Sequence, residues 1–244
     1  MVKVVREFKG HSGSKIFLME GGASLFVRKI GNVQRNFERL SFLKDRVRVP
    51  KVYLYENDVL DMEYIHGMDM KTYLLNHDID PLVTFIEGFI RGQRSSRRIS
   101  FTSILHHELS WLEGFPFDRD QLIGNRPLCL PFTDDYHGDL TLENIIYTGS
   151  EFVLIDPVTV PYASPVFDLA KLRQDLECRW FLRNSDVRLD TKLNTIQERL
   201  FESFPIMKKN TFLIAMLLRV YRHCEKNSVE HRFIVNHINR LWSK

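Results

Sequence analysis

Three side chains in the middle of the chain carry oxygen donors of the kind that hold hard divalent cations. Asp139 lies in the stretch "YHGDLTLENIIY", residues 136–147; Asn144 follows five positions later; Asp156 ends the apolar run "FVLID". Magnesium takes carboxylate, amide oxygen and water, and phosphate oxygens commonly complete its shell. Phosphoryl transfer from a nucleotide needs that set: metal ligands to draw charge off the phosphates, and one group to orient the acceptor hydroxyl. A polar turn between core segments would account for Asp139 and Asn144 taken alone. It does not account for Asp156 at the end of an apolar strand, where its carboxylate would be held rigidly.

The elements that must position these groups can be read from the pattern around them. Ile145-Ile146 and Val153-Leu154-Ile155 read as two short strands joined by Thr148-Gly149-Ser150. Such a hairpin sets Asn144 beside Asp156, where one ion could bridge them. The first third reads as strands: Val2, Val4 and Val5, then Ile16–Met19, then Leu25–Ile30, with Gly21-Gly22 as a hairpin signal. Residues 33–44 change period, placing Val33, Phe37, Leu40 and Leu43 on one helical face. "KVYLYEND" and "VLDMEYIHG" return to strand. After Gly67 helical spacing takes over at 69–76, at 81–94 behind an Asp80-Pro81 start, and at 101–112. Residues 115–135 are loop-rich, and helix dominates from about Phe167. A mostly β part, 1–66, therefore precedes a mostly α part, 67–244, which predicts a two-lobed α+β fold.

Composition sets the outer limits. The 244 residues are 44% hydrophobic and 27% charged, enough to bury a sizeable core. A net charge of +3 suits an anionic ligand without arguing for nucleic acid. Cys129, Cys178 and Cys224 are odd in number and show no metal spacing, which points to reduced thiols and a cytoplasmic setting. "MVKVVREFKG" has no apolar signal region, and the longest apolar run near the C-terminus, Phe212–Leu218, is too short to span a bilayer. Oligomeric state is left open.

His137-Gly138-Asp139-Leu140 with Asn144, followed by Ile155-Asp156-Pro157, resembles the aminoglycoside phosphotransferase and choline kinase family. "PVFDLAKL", 165–172, adds to the likeness, which covers roughly residues 5–175. The resemblance implies a protein-kinase-like fold, ATP and Mg²⁺, and a small-molecule hydroxyl acceptor: a sugar, aminoglycoside or amino alcohol, with a link to surface polysaccharide. It implies Asp139 as the catalytic base and Asn144 and Asp156 as metal ligands, with His137 and Asp168 bracing the loop. It further implies a nucleotide-covering turn at Gly10, Ser12, Gly13 and Ser14, and a phosphate-contacting base on the third strand. Lys29 is preferred over Arg28 for that base, paired with Glu38 on the following helix. A nucleotide-contacting linker would include Glu63 and Ile65. No D-F-G or A-P-E is present. Gly138 stands where regulated protein kinases carry the arginine that receives a phosphorylated activation loop. That favours a small-molecule kinase; the alternatives are a protein-directed kinase, a nucleotidyl transferase of the same fold, and a non-catalytic nucleotide-binding scaffold.

Other conspicuous groups have plainer readings. Arg91, Arg94 and Arg98 have the spacing of a solvated helix face. His106 and His107 would diverge by about 100° on a helix, so they would not share an ion. Trp111, Trp180 and Trp242 read as core or groove residues, and the stripe 211–221 as a core helix.

Overall fold

The computed structural model describes residues 2–8, 14–22, 24–110 and 129–242. The chain forms two compact units. The first is Met1–His77 with His137–Asp139 and Glu143–Val160; the second is Asp78–Tyr136 with Leu140–Leu142 and Pro161–Lys244. This differs from the expected division at 66/67 in two respects. The boundary falls eleven residues later, and His137–Asp139 and Glu143–Val160 group with the N-terminal sheet. Main-chain hydrogen bonding gives the reason: the hairpin carrying Asn144 and Asp156 pairs with the strand Met68–Asp69, and Leu154 N–H donates to the Arg48 carbonyl.

In the first unit, β1 (Val2–Phe8), β2 (Lys15–Gly21), β3 (Ser24–Ile30), β4 (Val52–Glu56) and β5 (Val59–Glu63) form one antiparallel sheet in the order β1-β2-β3-β5-β4. Asn57 and Asp58, between β4 and β5, both have positive φ, 48° and 60°. A two-residue hairpin turn of the type that matches strand twist requires this, and Asn and Asp tolerate it. Helix α1 (Gln34–Leu43) buries Asn36, Arg39, Leu40 and Leu43, a stripe at helical spacing, and packs beside β4. Phe37 stacks on Tyr55 at 4.1 Å between ring centroids. A second, three-stranded sheet orders β10 (Phe152–Leu154), β9 (Ile145–Tyr147) and β6 (Met68–Asp69). Helix α2 (Met70–Asn76) follows, with Asp69 accepting from Thr72 N–H as its N-cap.

In the second unit, α3 (Asp80–Gly92) stops at a glycine, and the chain turns into β7 (Ser95–Ser100), which pairs with β8 (Cys129–Thr133). Arg91 lies at the end of α3 while Arg98 lies on β7, which corrects the single helical face expected for Arg91, Arg94 and Arg98. The loop-rich reading of 115–135 likewise gives way to strand at its end. Both corrections come from a pairing between distant segments, which local spacing cannot reveal. Helix α4 (Thr102–Leu109) precedes β8; α5 (Pro165–Cys178), α6 (Asp190–Ser203), α7 (Asn210–Tyr221) and α8 (Val229–Trp242) follow it. Helix α5 starts on a Ser164 cap with proline in its first turn and ends at Arg179 in the left-handed region. Helix α7 is buried all round from Phe212 to Leu218, as befits the centre of a helical core. Trp180 is buried, and Trp111 lies outside the described residues. Among the described residues, no helix is long and apolar enough to cross a membrane.

Candidate active site

The first unit brings Lys29, Asp139, Asn144 and Asp156 onto neighbouring segments. The hairpin β9–β10 does most of the positioning. Leu154 pairs with Ile145, and the ladder gains one more bond, from Ile155 N–H to the Asn144 carbonyl at 2.9 Å. Asn144 thus enters the hairpin where Asp156 leaves it. The Asn144 amide nitrogen donates to the Asp139 carbonyl at 2.8 Å and to Asp139 Oδ2 at 3.3 Å. Both neighbours are acceptors, which fixes the orientation of the amide and turns its oxygen away from them.

His137 is buried between the same two segments. Asp139 N–H donates to its Nδ1 at 3.2 Å, so Nε2 carries the proton and donates to the Ile155 carbonyl at 3.0 Å. The His137 carbonyl in turn accepts from Val158 N–H at 3.0 Å. The ring therefore braces the Asp139 loop against the segment that bears Asp156. Gly138 sits between them at φ +87°, a conformation that disfavours any side chain.

Asp156 itself has φ +53°. Its Oδ1 accepts from Lys29 Nζ at 2.7 Å and from Asn36 Nδ2 at 2.8 Å. Lys29 is 2% exposed, whereas the Asp156 side chain is 41% exposed. Arg28, one residue earlier on β3, points to the opposite face of the sheet and forms a two-pronged pair with Asp61 at 2.7 and 2.6 Å. Glu38 is not the partner of Lys29. It is exposed, accepting from Gln34 Nε2 at 2.9 Å and from Thr159 Oγ1 at 3.1 Å. The reason is rotational: Asn36 lies on the buried stripe, and Glu38 is about 200° further round the helix. Asn36 takes the inward place that sequence reasoning gave to Glu38. Its signal was an amide on the stripe shared with Val33, Leu40 and Leu43.

The remaining expected positions are more dispersed. Ser14 is buried against Gly31, and Gly10, Ser12 and Gly13 lie outside the described residues. The Glu63 carboxylate is engaged by Arg48 and by Lys51 N–H. Burial opposes its charge, but those donors outweigh burial and hold it below the usual carboxylate range. Ile65 is buried just past the end of β5, outside the strand ladder. In the second unit, Asp168 accepts from Gln93 Nε2 at 3.0 Å, and Asp175 accepts from Leu142 N–H at 2.6 Å. Asp175, which sequence reasoning missed, lies seven positions after Asp168, on the same side of α5.

The donor set fits a magnesium ion that shares its shell with phosphate. Asn144 offers its amide oxygen, and Asp156 keeps Oδ2 clear of Lys29 and Asn36. No group of three or more His, Cys, Asp or Glu among the described residues is placed to hold a metal. An amide and one carboxylate therefore leave most of the shell to phosphate and water, as is usual for magnesium.

No family model and no curated protein matches the chain. Solved structures do. A thermostable mutant of the aminoglycoside phosphotransferase APH(4)-Ia is similar with a TM-score of 0.71 at 9% identity, over 98% of this chain and 94% of that one. The choline kinase LicA from Streptococcus pneumoniae is similar with a TM-score of 0.56 at 18% identity, over 100% and 92%. A choline/ethanolamine kinase family protein from Mesorhizobium loti gives 0.59 at 15%, over 100% and 87%. The class is thus defined: an α+β, two-lobed, protein-kinase-like fold. Within that fold, the structures it is similar to include aminoglycoside phosphotransferases and choline kinases.

Proposed function

We propose that the chain is an ATP- and Mg²⁺-dependent phosphotransferase acting on a hydroxyl group of a small molecule. The observation that carries this reading is the Lys29–Asp156 pair on one side of the β9–β10 hairpin, with Asn144 hydrogen-bonded to Asp139 on the other. Asp139 orients the acceptor hydroxyl and takes its proton as the oxygen attacks the γ-phosphorus and the bond to the β-phosphate oxygen breaks. ADP leaves and a phosphate ester remains. Lys29 moves from Asp156 to the α/β-phosphates. Asn144 and Asp156 would hold Mg²⁺, which supplies charge neutralisation at the β/γ-phosphates when bound. The buried Ile65 lies in the expected nucleotide-contacting linker, and catalysis rests on positioning and electrostatics.

The acceptor class follows the neighbours. An APH(4)-Ia structure holds ADP and hygromycin B, and another holds AMP-PNP with the same antibiotic. Sugars, aminoglycosides and amino alcohols, including precursors of surface polysaccharide, are the proposed acceptors. The free thiols of Cys129, Cys178 and Cys224 accord with a reducing, cytoplasmic compartment. The test is an ATP-depletion screen over these acceptors, with mass spectrometry of the product. A phosphate adduct, lost in Asp139→Ala, is expected. A nucleotide adduct, or turnover undiminished in Asp139→Ala, would overturn the assignment.

A further inference from the structure

Asn36 is one of the few polar side chains buried in the first unit, at 5% exposure, and it lies on the apolar stripe of α1. Its amide nitrogen has two hydrogens, and both are used on consecutive residues. One goes to Asp156 Oδ1 at 2.8 Å, the other to the Pro157 carbonyl at 2.8 Å. Together they fix the carboxylate and the following peptide at a residue held in the left-handed region. The neighbouring bonds tighten the same clasp. Thr159 N–H donates to the Arg35 carbonyl at 3.1 Å, and Arg35 Nε donates to the Thr159 carbonyl at 2.7 Å. Thr159 Oγ1 bonds both the Arg35 carbonyl and Glu38. The first turns of α1 are thereby tied to residues 156–159.

Lys29 and Asn36 share one oxygen of Asp156, but they differ in what a divalent cation does to them. A cation on that carboxylate would repel the ammonium of Lys29, leaving it to pair with a phosphate instead. It has no such quarrel with a neutral amide, so Asn36 is the donor that stays. A carboxylate at position 36 would place a second negative charge against Asp156.

We propose that Asn36 is a positioning residue, which holds the Asp156 carboxylate in cation-binding orientation once Lys29 has turned to the nucleotide. This rests on the phosphotransferase reading, and its test is independent of turnover. Mn²⁺ binding to the ADP-loaded full-length chain would be followed by electron paramagnetic resonance, alongside ADP binding without metal and thermal unfolding without ligand. Asn36→Leu matches the apolar stripe but loses both donors. It is expected to weaken Mn²⁺ binding on the order of tenfold or more, with ADP affinity and folding retained and the Mg²⁺ requirement for turnover raised. Thr159→Val, which loosens the clasp without touching Asp156, is expected to keep wild-type Mn²⁺ affinity. Should Asn36→Leu fail to fold, Asn36→Ser, which keeps a single donor, is read in the same way and should also bind Mn²⁺ less tightly. Wild-type Mn²⁺ affinity in the folded variant would overturn the role of Asn36 and leave the phosphotransferase reading standing. A wild-type protein that binds no Mn²⁺ with ADP would overturn both.

Discussion

Lys29 and Arg28 show how one residue of offset decides a partner. Adjacent side chains on a strand face opposite ways, so Arg28 meets Asp61 across the β3–β5 ladder while Lys29 is buried against Asp156. A buried ammonium needs its counter-charge, yet Asp156 is 41% exposed and water can solvate it when the lysine is gone. Loss of Lys29 should therefore harm chemistry far more than stability. Lys29→Met, which keeps the aliphatic stem, is expected to lower turnover about 100-fold or more, as loss of one preorganised donor does. The stability cost should be about 1 kcal/mol. Steady-state kinetics and urea unfolding of the same preparation check this; comparable losses in both would make the lysine purely structural. Gly138 makes a complementary point. The sequence shows only that an arginine is missing there, whereas φ +87° shows a backbone that disfavours any side chain. A phosphate-receiving arginine could not simply be restored at that position.

The elements around the site differ in how visible they are before folding. The β9–β10 hairpin was legible because its apolar pairs and its turn are neighbours in sequence. Helix α1 was legible as a helix, and its buried stripe followed from its period. What lay against that stripe was not legible, because Asn36 and Asp156 are 120 positions apart. The expected acid, Glu38, is on the right helix and the wrong face. The strand β7 was hidden for the same reason, since its partner β8 is some thirty residues away. Glycines offer a test of how tightly the elements meet. A Cβ on Gly67 would lie 2.5 Å from the Tyr147 carbonyl oxygen and 2.6 Å from Ile146 Cγ2, so only glycine lets the chain pass β9 on its way into β6. Gly67→Ala should cost about 1–3 kcal/mol, because a main-chain atom cannot step aside. Gly88, within α3, has open space where its Cβ would be. Gly88→Ala should instead stabilise by about 0.5–1 kcal/mol through helix propensity. Chemical denaturation of the two variants decides the matter, and effects of the same sign would contradict the packing described.

Stability as a function of pH is a property of the whole chain, and two groups in different units act on it in the same direction. Arg240 Nη2 lies 3.0 Å from His237 Nδ1 and can only donate, so the ring is neutral. Burial and then the Arg240 charge push His237 down to about 4 from an ordinary value of 6.5. Between those values the unfolded chain binds the proton more readily than the folded one, so stability rises with pH through that interval and falls as the solution is acidified. Glu63, held below its ordinary 4.5, adds its contribution above that value and loses it as pH falls through its folded value. Acid unfolding should therefore proceed in two overlapping stages, the histidine first. His237→Phe keeps an aromatic ring beside Phe233, whose centroid is 4.4 Å away, and removes the titration. The variant is expected to flatten the urea midpoint between pH 6.5 and 4 while preserving the fall below. A wild-type slope retained across the upper interval would mean that the proton is taken up elsewhere. A fall below pH 4.5 that vanished in Glu63→Gln would confirm the Arg48–Glu63 pair as the origin of the second stage.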